Sequence, residues 1–218
     1  IKIIMNSFYG VLGTPSCRFL DTRLVSSITK RGHQIIQESQ RYLEDKGFPV
    51  IYGDTDSVFV LVPSGALPEQ EDNPRPANRG QAIAALSTQL ADEMTQWWRD
   101  KILKEHGVPS YLEMEFETHF SKFLMPTIRG TDAGSKKRYA GLVQEPGSLK
   151  GYSLVFKGLE SVRSDWSPLA RDFQRALYEC IFLGQPYTEL IFATVASLRA
   201  GELDDKLVFT KRLRRRID

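Results

Sequence analysis

Residues 50–62 read VIYGDTDSVFVLV. Val50–Tyr52 and Val58–Val62 are β-branched and aromatic residues, which suit a pleated, half-buried surface. GDTDS between them is made of turn formers. The stretch predicts a β-hairpin, and with it antiparallel pairing. A two-stranded hairpin is marginal in water and needs cover. Two helical patterns lie beside it to supply that cover. Residues 23–46 carry Leu24, Ile28, Ile35, Ile36 and Leu43 at helical spacing, with Gly47 placed to end the helix. A second helix, from near Gln81 to about Glu105, turns Ile83, Leu86, Leu90, Met94, Trp97 and Trp98 towards one side. The Pro-rich, acidic residues 63–78 between hairpin and second helix read as an exposed loop.

Beyond residue 110 the pattern changes to strands, at 111–117, 120–128, 137–144 and 153–157. From Ser167 it turns helical again, and Pro186 divides the region into two helices. Residues 1–9 read as the end of a helix stopped by Gly10, Gly13 and Pro15. This order predicts an α+β fold, an antiparallel sheet packed with helices, followed by a helical appendix from about residue 160. A content of 41% hydrophobic and 26% charged residues excludes a disordered chain. No apolar run reaches the roughly 18 residues of a membrane span, so no membrane partner is expected. Cys17 and Cys180 read as two reduced thiols, and His33, His106 and His119 lack zinc-ligand spacing. The chain opens without Met and closes in the charge run TKRLRRRID, so both ends read as cuts in a longer protein.

Two stretches carry chemistry. Asp54 and Asp56 stand one residue apart at the bend of the hairpin. An Asp-Thr-Asp turn explains them, since Asp side chains bond nearby backbone N–H groups. A divalent metal explains them as well, because Mg²⁺ is held by one or two carboxylates together with substrate phosphates. In KIIMNSFYG, Lys2, Asn6 and Tyr9 fall at i, i+4 and i+7, on one helical stripe. An ammonium, an amide and a phenol make an odd core but suit a surface that meets phosphate and a planar partner.

Taken together and in order, these stretches resemble motifs of the family B DNA polymerases. That family carries K-x3-N-S-x-Y-G in the last fingers helix and Y-G-D-T-D-S in the palm hairpin. Here they stand as Lys2, Asn6, Ser7, Tyr9 and Gly10, and as Tyr52, Gly53, Asp54, Thr55, Asp56 and Ser57. A third motif, K-K-R-Y, follows as Lys136, Lys137, Arg138 and Tyr139. A fourth, K-G-x-E-x-V-R, follows as Lys157, Gly158, Glu160, Val162 and Arg163. The text FETHFSKFLMPTIRGTDAGSKKRYAGL and KGLESVRSDWSPLA looks most like the bacterial branch of the family.

The resemblance implies a division into the end of a fingers helix (1–13), a palm (14–160) and the start of a truncated thumb (161–218). It implies nucleotidyl transfer from a dNTP to a primer 3′-hydroxyl, with two Mg²⁺ ions in the full-length parent, and primer–template DNA as partner. Asp56 matches the palm carboxylate that ligates both metals, and Asp54 a supporting neighbour. Glu115 matches an accessory carboxylate, with Glu113 and then Glu117 as rivals. Lys2 and Asn6 match triphosphate contacts, Tyr9 a contact on the nascent pair, and Thr55 a residue that shapes the bend. Lys136, Lys137, Arg138 and Tyr139 match the grip on primer–template, and Lys157 and Arg163 match primer-strand contacts. A role in replication, repair or damage bypass, a sliding clamp bound through a missing C-terminus, and a cytoplasmic, nucleoid-associated location in a bacterium follow from the resemblance alone.

One departure limits the expectation. The family's other palm carboxylate lies in a D-x-x-S-L-Y-P motif, and nothing here matches it. DTRLVSS (21–27) and SDWSPLA (164–170) lack its Tyr-Pro ending. The chain by itself is therefore expected not to polymerise and to hold metal weakly or not at all. A non-catalytic nucleic-acid-binding module with palm and thumb surfaces is the alternative, and the intact motifs favour an active parent.

Overall fold

The structure, a computed structural model, describes residues 7, 9–67, 76–127, 130 and 134–210. The chain divides into two compact units, Ile1–Arg75 with Gln81–Phe116, and Pro76–Gly80 with Glu117–Asp218. Helix and antiparallel strand are mixed as expected. The strands form two separate sheets, two-stranded in the first unit and three-stranded in the second.

In the first unit, helix α1 (Thr22–Asp45) starts on Asp21, whose carboxylate accepts from the Arg23 N–H at 2.9 Å, a standard N-cap. It ends on Gly47, at φ 85°, with Phe48 N–H bonded to Leu43 C=O and Gly47 N–H to Glu44 C=O. Strands β1 (Val50–Asp54) and β2 (Ser57–Val60) make the expected hairpin, with an irregularity of register between Val50 and Tyr52. Helix α2 (Pro76–His106), which belongs to this unit from Gln81 onward, begins five residues before the expected start at Gln81. The loop expected over 63–78 thus loses its end to the helix, and a 3-10 turn occupies Ser64–Ala66. Leu43, Met94 and Trp98 are the buried centre, with Ile35, Tyr42, Val50, Val58, Val60, Leu112 and Met114 packed around them. Trp98 is 2% exposed and its indole N–H donates to Ser39 Oγ at 2.9 Å, so the one polar atom of the ring is satisfied. Leu24 and Ile28, at the start of the expected α1 stripe, remain exposed.

Residues 111–117, expected as a strand, form neither helix nor strand. Leu112 and Met114 turn inward while Glu113 and Glu115 face out, the alternation that a strand shows. The backbone N–H of Met114 is taken by the Thr95 hydroxyl of α2, at 2.9 Å, rather than by a ladder. At the N-terminus, of the expected stops Gly10, Gly13 and Pro15, the helix passes the first and ends at the second. Residues 9–12 are helical, and the turn comes at Gly13.

In the second unit, β3 (Lys122–Leu124), β4 (Tyr139–Gln144) and β5 (Tyr152–Lys157) form an antiparallel sheet in that order. The strand expected over 120–128 is shortened to β3, with an isolated bridge from Thr127 to Gly134. Helix α3 (Pro168–Leu183) is capped by Ser167 Oγ and ends on Gly184, at φ 69°. Helix α4 (Thr188–Arg199) follows Pro186, so Gly184 closes the first helix before the proline is reached. Ala140, Leu142, Phe156, Leu159 and Phe182 form the second core, with Leu124, Tyr152, Leu154 and Tyr178 at its margin.

Trp98→Ala should lower stability by about 3–5 kcal/mol, because it leaves a cavity and orphans the Ser39 hydroxyl. Trp98→Phe should cost less, since most of the apolar volume is kept. Denaturant unfolding measures both, and an unchanged midpoint for the alanine variant would remove Trp98 from the core.

Candidate nucleotidyl-transfer and nucleic-acid sites

Register in the first-unit hairpin pairs Asp54 with Ser57, which leaves Thr55 and Asp56 as a two-residue loop. The strand therefore stops before Asp56, and the alternation of faces does not carry over from Asp54. Thr55 sits at φ 56°, a left-handed conformation that a β-branched residue rarely adopts. Such strain persists only where the surroundings impose it, and it concentrates at functional turns. The Asp56 N–H bonds back to Asp54 C=O at 2.6 Å. The Thr55 hydroxyl donates to Asp54 Oδ1 at 2.9 Å, and the Ser57 hydroxyl lies 3.4 Å from Asp56 Oδ1. Asp54 is half-buried and Asp56 is exposed at the tip. Local hydrogen bonding thus separates two acids that look equivalent in the sequence.

Glu113 and Glu115 face an open polar groove of about 450 Å³ together with Asp92, Thr95, Gln96, Arg99 and Met114. Arg99 lies 4.0 Å from Glu113, at the limit of an ion pair. Asp54 and Asp56 are not among the residues lining this groove. Among the described residues no three His, Cys, Asp or Glu side chains come together in a group able to hold a metal ion. The described carboxylates by themselves do not fit a two-ion centre.

Tyr9 donates its hydroxyl hydrogen to Thr29 Oγ1 at 2.8 Å, because the Thr29 hydroxyl hydrogen is directed to Val25 C=O at 3.0 Å. Lys2 and Asn6 lie outside the described residues.

The basic motif of the second unit is a turn leading into β4. Lys137 adopts φ 62°, and the backbone of Gly158 (φ 62°) lies directly against it. A Cβ on Gly158 would stand 2.1 Å from the Lys137 carbonyl oxygen and 3.3 Å from Arg138 Cγ. The glycine of K-G-x-E-x-V-R is thus what lets the K-K-R-Y turn close. Tyr139 pairs with Lys157 across the β4–β5 ladder, and its ring packs with Phe120 and Phe123. Lys136, Lys137 and Lys157 are exposed.

The two arginines are engaged by acids. Arg138 is ion-paired through Nη2 to Glu160 Oε1, while its buried Nε meets no hydrogen-bond partner among the described residues. Arg163 is held by Asp165, Nε to Oδ1 at 2.9 Å and Nη2 to Oδ2 at 2.6 Å, an exposed bidentate pair. Burial pushes the Glu160 carboxyl up, but the bond from Gln174 and the Arg138 charge outweigh it and hold the carboxyl below its ordinary value. Spacing in the sequence names Glu160 as a motif residue without a role. Its role as partner of Arg138 comes from the pairing of β4 with β5, which sequence spacing does not encode.

The family model described as DNA polymerase family B matches residues 1–72 and 80–215. DNA polymerase II of Escherichia coli (strain K12) is 52% identical over 99% of this chain, which spans 25% of that protein. DNA polymerase 1 of Pyrococcus abyssi is 31% identical over 83% of the chain, which covers 19% of it. The DNA polymerase of Paramecium bursaria Chlorella virus NY2A is 30% identical over 91% of the chain, again 19% of that protein. The chain thus spans a quarter or less of the length of these relatives.

Gly158→Ala should destabilise the second unit by more than about 1 kcal/mol, since the new Cβ meets backbone and the φ is unfavourable. Gly147→Ala, with nothing within 4 Å of its Cβ, is the matched control. Thermal unfolding compares them, and equal midpoints would refute the close packing. The Glu160 pairing adds a pH dependence. The folded carboxyl lies below the ordinary 4.5, so its stabilisation is complete above that value and is lost as pH falls through the depressed one. Gln replacing Glu160 should flatten that acid limb of the stability curve.

Proposed function

The chain belongs to DNA polymerase family B, and on that premise we propose that the protein it forms part of is a DNA-directed DNA polymerase. The observation that carries this reading is the family match over residues 1–72 and 80–215, a range that spans all four motifs, together with 52% identity to a polymerase II. The substrates are a dNTP and a primer–template, and the reaction is nucleotidyl transfer to the primer 3′-hydroxyl. Residues 14–160 act as palm and 161–218 as the start of a thumb, with 1–13 closing a fingers helix.

Phosphoryl transfer leaves little covalent work for the protein, which contributes position and charge. With the second anchor supplied from outside this chain, Asp56, exposed on its two-residue bend, would give one carboxylate to a Mg²⁺ centre that neutralises charge on the transferred phosphoryl group, and Glu115 would be its accessory. The second anchor belongs to a D-x-x-S-L-Y-P motif that this chain does not carry. Asp54, held by the Thr55 hydroxyl, supports the bend. Tyr9, fixed by Thr29, contacts the nascent base pair, and Lys2 and Asn6 contact the triphosphate.

Lys136, Lys137 and Lys157 meet duplex phosphates, a contact that needs no base sequence. Arg138, Tyr139 and Arg163 complete the grip, with both guanidiniums preset by acids. The protein works at the bacterial nucleoid in replication, repair or damage bypass, with a sliding clamp as partner. No described helix is long and apolar enough to cross a membrane.

Asp56→Ala in the full-length polymerase should abolish primer extension while primer–template binding persists. Extension that survives this change would remove Asp56 from the reaction and favour a non-catalytic nucleic-acid-binding role. Lys136→Ala should weaken primer–template binding for all sequences alike and reduce the slope of log K against log salt by about 0.9. An unchanged slope would take Lys136 off the phosphates. The 218-residue chain alone should give no extension on a primed template. Nucleotide incorporation by it would show that the second carboxylate is dispensable.

A further inference from the structure

Gln174 lies on α3, outside all four sequence motifs, and uses both ends of its amide. Its Nε2 donates to Glu160 Oε2 at 2.7 Å. Its Oε1 accepts from the Ser161 backbone N–H, also at 2.7 Å. The neighbouring Arg175 donates to Ser161 C=O at 3.2 Å while its guanidinium lies 5.6 Å from the Phe156 ring centroid. The 3-10 turn Glu160–Val162 is thus tied to α3 from two adjacent helix positions. Leu159 and Ser161, on either side of Glu160, are 1% and 2% exposed, so the turn is fixed on its inner face as well.

The line of contacts continues outward. The other oxygen of Glu160 holds the Arg138 guanidinium. Arg138 follows Lys137, whose left-handed backbone lies against Gly158. A non-glycine residue at positive φ persists only where its surroundings over-determine it. Here the surroundings are Gly158 below the turn and the Glu160–Gln174 pair that grips the next residue. Lysine side chains are long and flexible, so a phosphate contact made by them is only as well placed as the backbone that carries them.

We infer that Gln174 is a positioning residue for the basic turn 136–139, acting through Glu160 and Arg138 to hold Lys136 and Lys137 against duplex phosphates. The inference rests on the DNA-gripping role proposed above for that turn. It couples α3, in the segment read as the start of the thumb, to the grip on primer–template. The residue type matters because an amide donates and accepts at once. A carboxylate at position 174 keeps the acceptor for Ser161, loses the donor, and sets a second negative charge beside Glu160.

The test uses full-length polymerase and a short primer–template duplex, with Gln174→Ala, Gln174→Met and Gln174→Glu each made alone and in an Arg138→Ala background. Equilibrium binding gives Kd, and steady-state extension gives KM for DNA and kcat. Each single variant should raise Kd by about three- to tenfold, the scale of one ordinary hydrogen bond, and Gln174→Glu should raise it most. The loss should fall on KM for DNA more than on kcat. In the Arg138→Ala background the Gln174 changes should have no further effect on Kd, because the link they act through is gone.

Gln174→Met keeps the length and volume of the side chain, so the test survives if the alanine variant folds poorly. Unchanged Kd in the single variants, or an equal loss in the Arg138→Ala background, would overturn the inference and reduce Gln174 to fold support. If Lys136→Ala and Lys137→Ala also leave Kd unchanged, the DNA-gripping reading of the turn falls with it. If those lysine changes weaken binding and the Gln174 changes do not, only the positioning role falls.

Discussion

Two strands joined by a bend cannot bury enough apolar surface to stand alone in water. The hairpin β1–β2 holds its shape because Val50, Val58 and Val60 lie against a core centred on Leu43, Met94 and Trp98 of α1 and α2. Trp98 is the largest fully buried side chain among the described residues, and its indole nitrogen is matched by Ser39, so burial costs no unpaired donor. Everything at the bend inherits this support. Thr55 can sit at positive φ, and Asp56 can stand exposed on a two-residue loop, because the strands beneath them are clamped from one side.

The second unit solves a different problem. A basic turn repels itself and gains little from burial, so it has to be held by specific contacts. Gly158 admits the Lys137 carbonyl where any side chain would collide, and Glu160 takes up the charge of Arg138. Two motifs separated in sequence are therefore two halves of one local structure. Lys136 and Lys137 reach outward from a platform whose charge is already balanced on its inner side. The same logic sets Asp165 against Arg163. An arginine held bidentately by an acid keeps its orientation, which a lone surface arginine does not.

Particular elements show how far the sequence reaches. The hairpin, the two long helices and the glycine stop at Gly47 follow from local rules of propensity, period and backbone conformation, whereas the break expected at Pro186 is made two residues earlier by Gly184. The segment 111–117 shows the burial alternation of a strand, yet its N–H at Met114 finds a threonine on a helix. Alternation reports which side chains are buried, and it does not report where the backbone hydrogen bonds go. The α1 stripe fails in the same way at Leu24 and Ile28, which have helical spacing and remain exposed. The helix α2 begins earlier than its apolar period, because the pattern marks the covered face and the backbone needs no such face to continue its hydrogen bonds.

Motif text alone places this chain in its family, since residue type and spacing survive where the structural context is unknown. It also marks Asp54, Asp56, the basic turn and Glu160 as residues of interest. The tertiary structure decides their relations. It separates Asp54 from Asp56 by ending a strand between them, and puts Glu113 and Glu115 on a groove with Arg99. It pairs Arg138 with Glu160 and brings in Gln174, which no motif contains. The physical reason is range. Backbone preference and side-chain period act over a few neighbouring residues and can be read in order, whereas a hydrogen bond between residues 138 and 160, or 160 and 174, exists only after the chain has closed on itself.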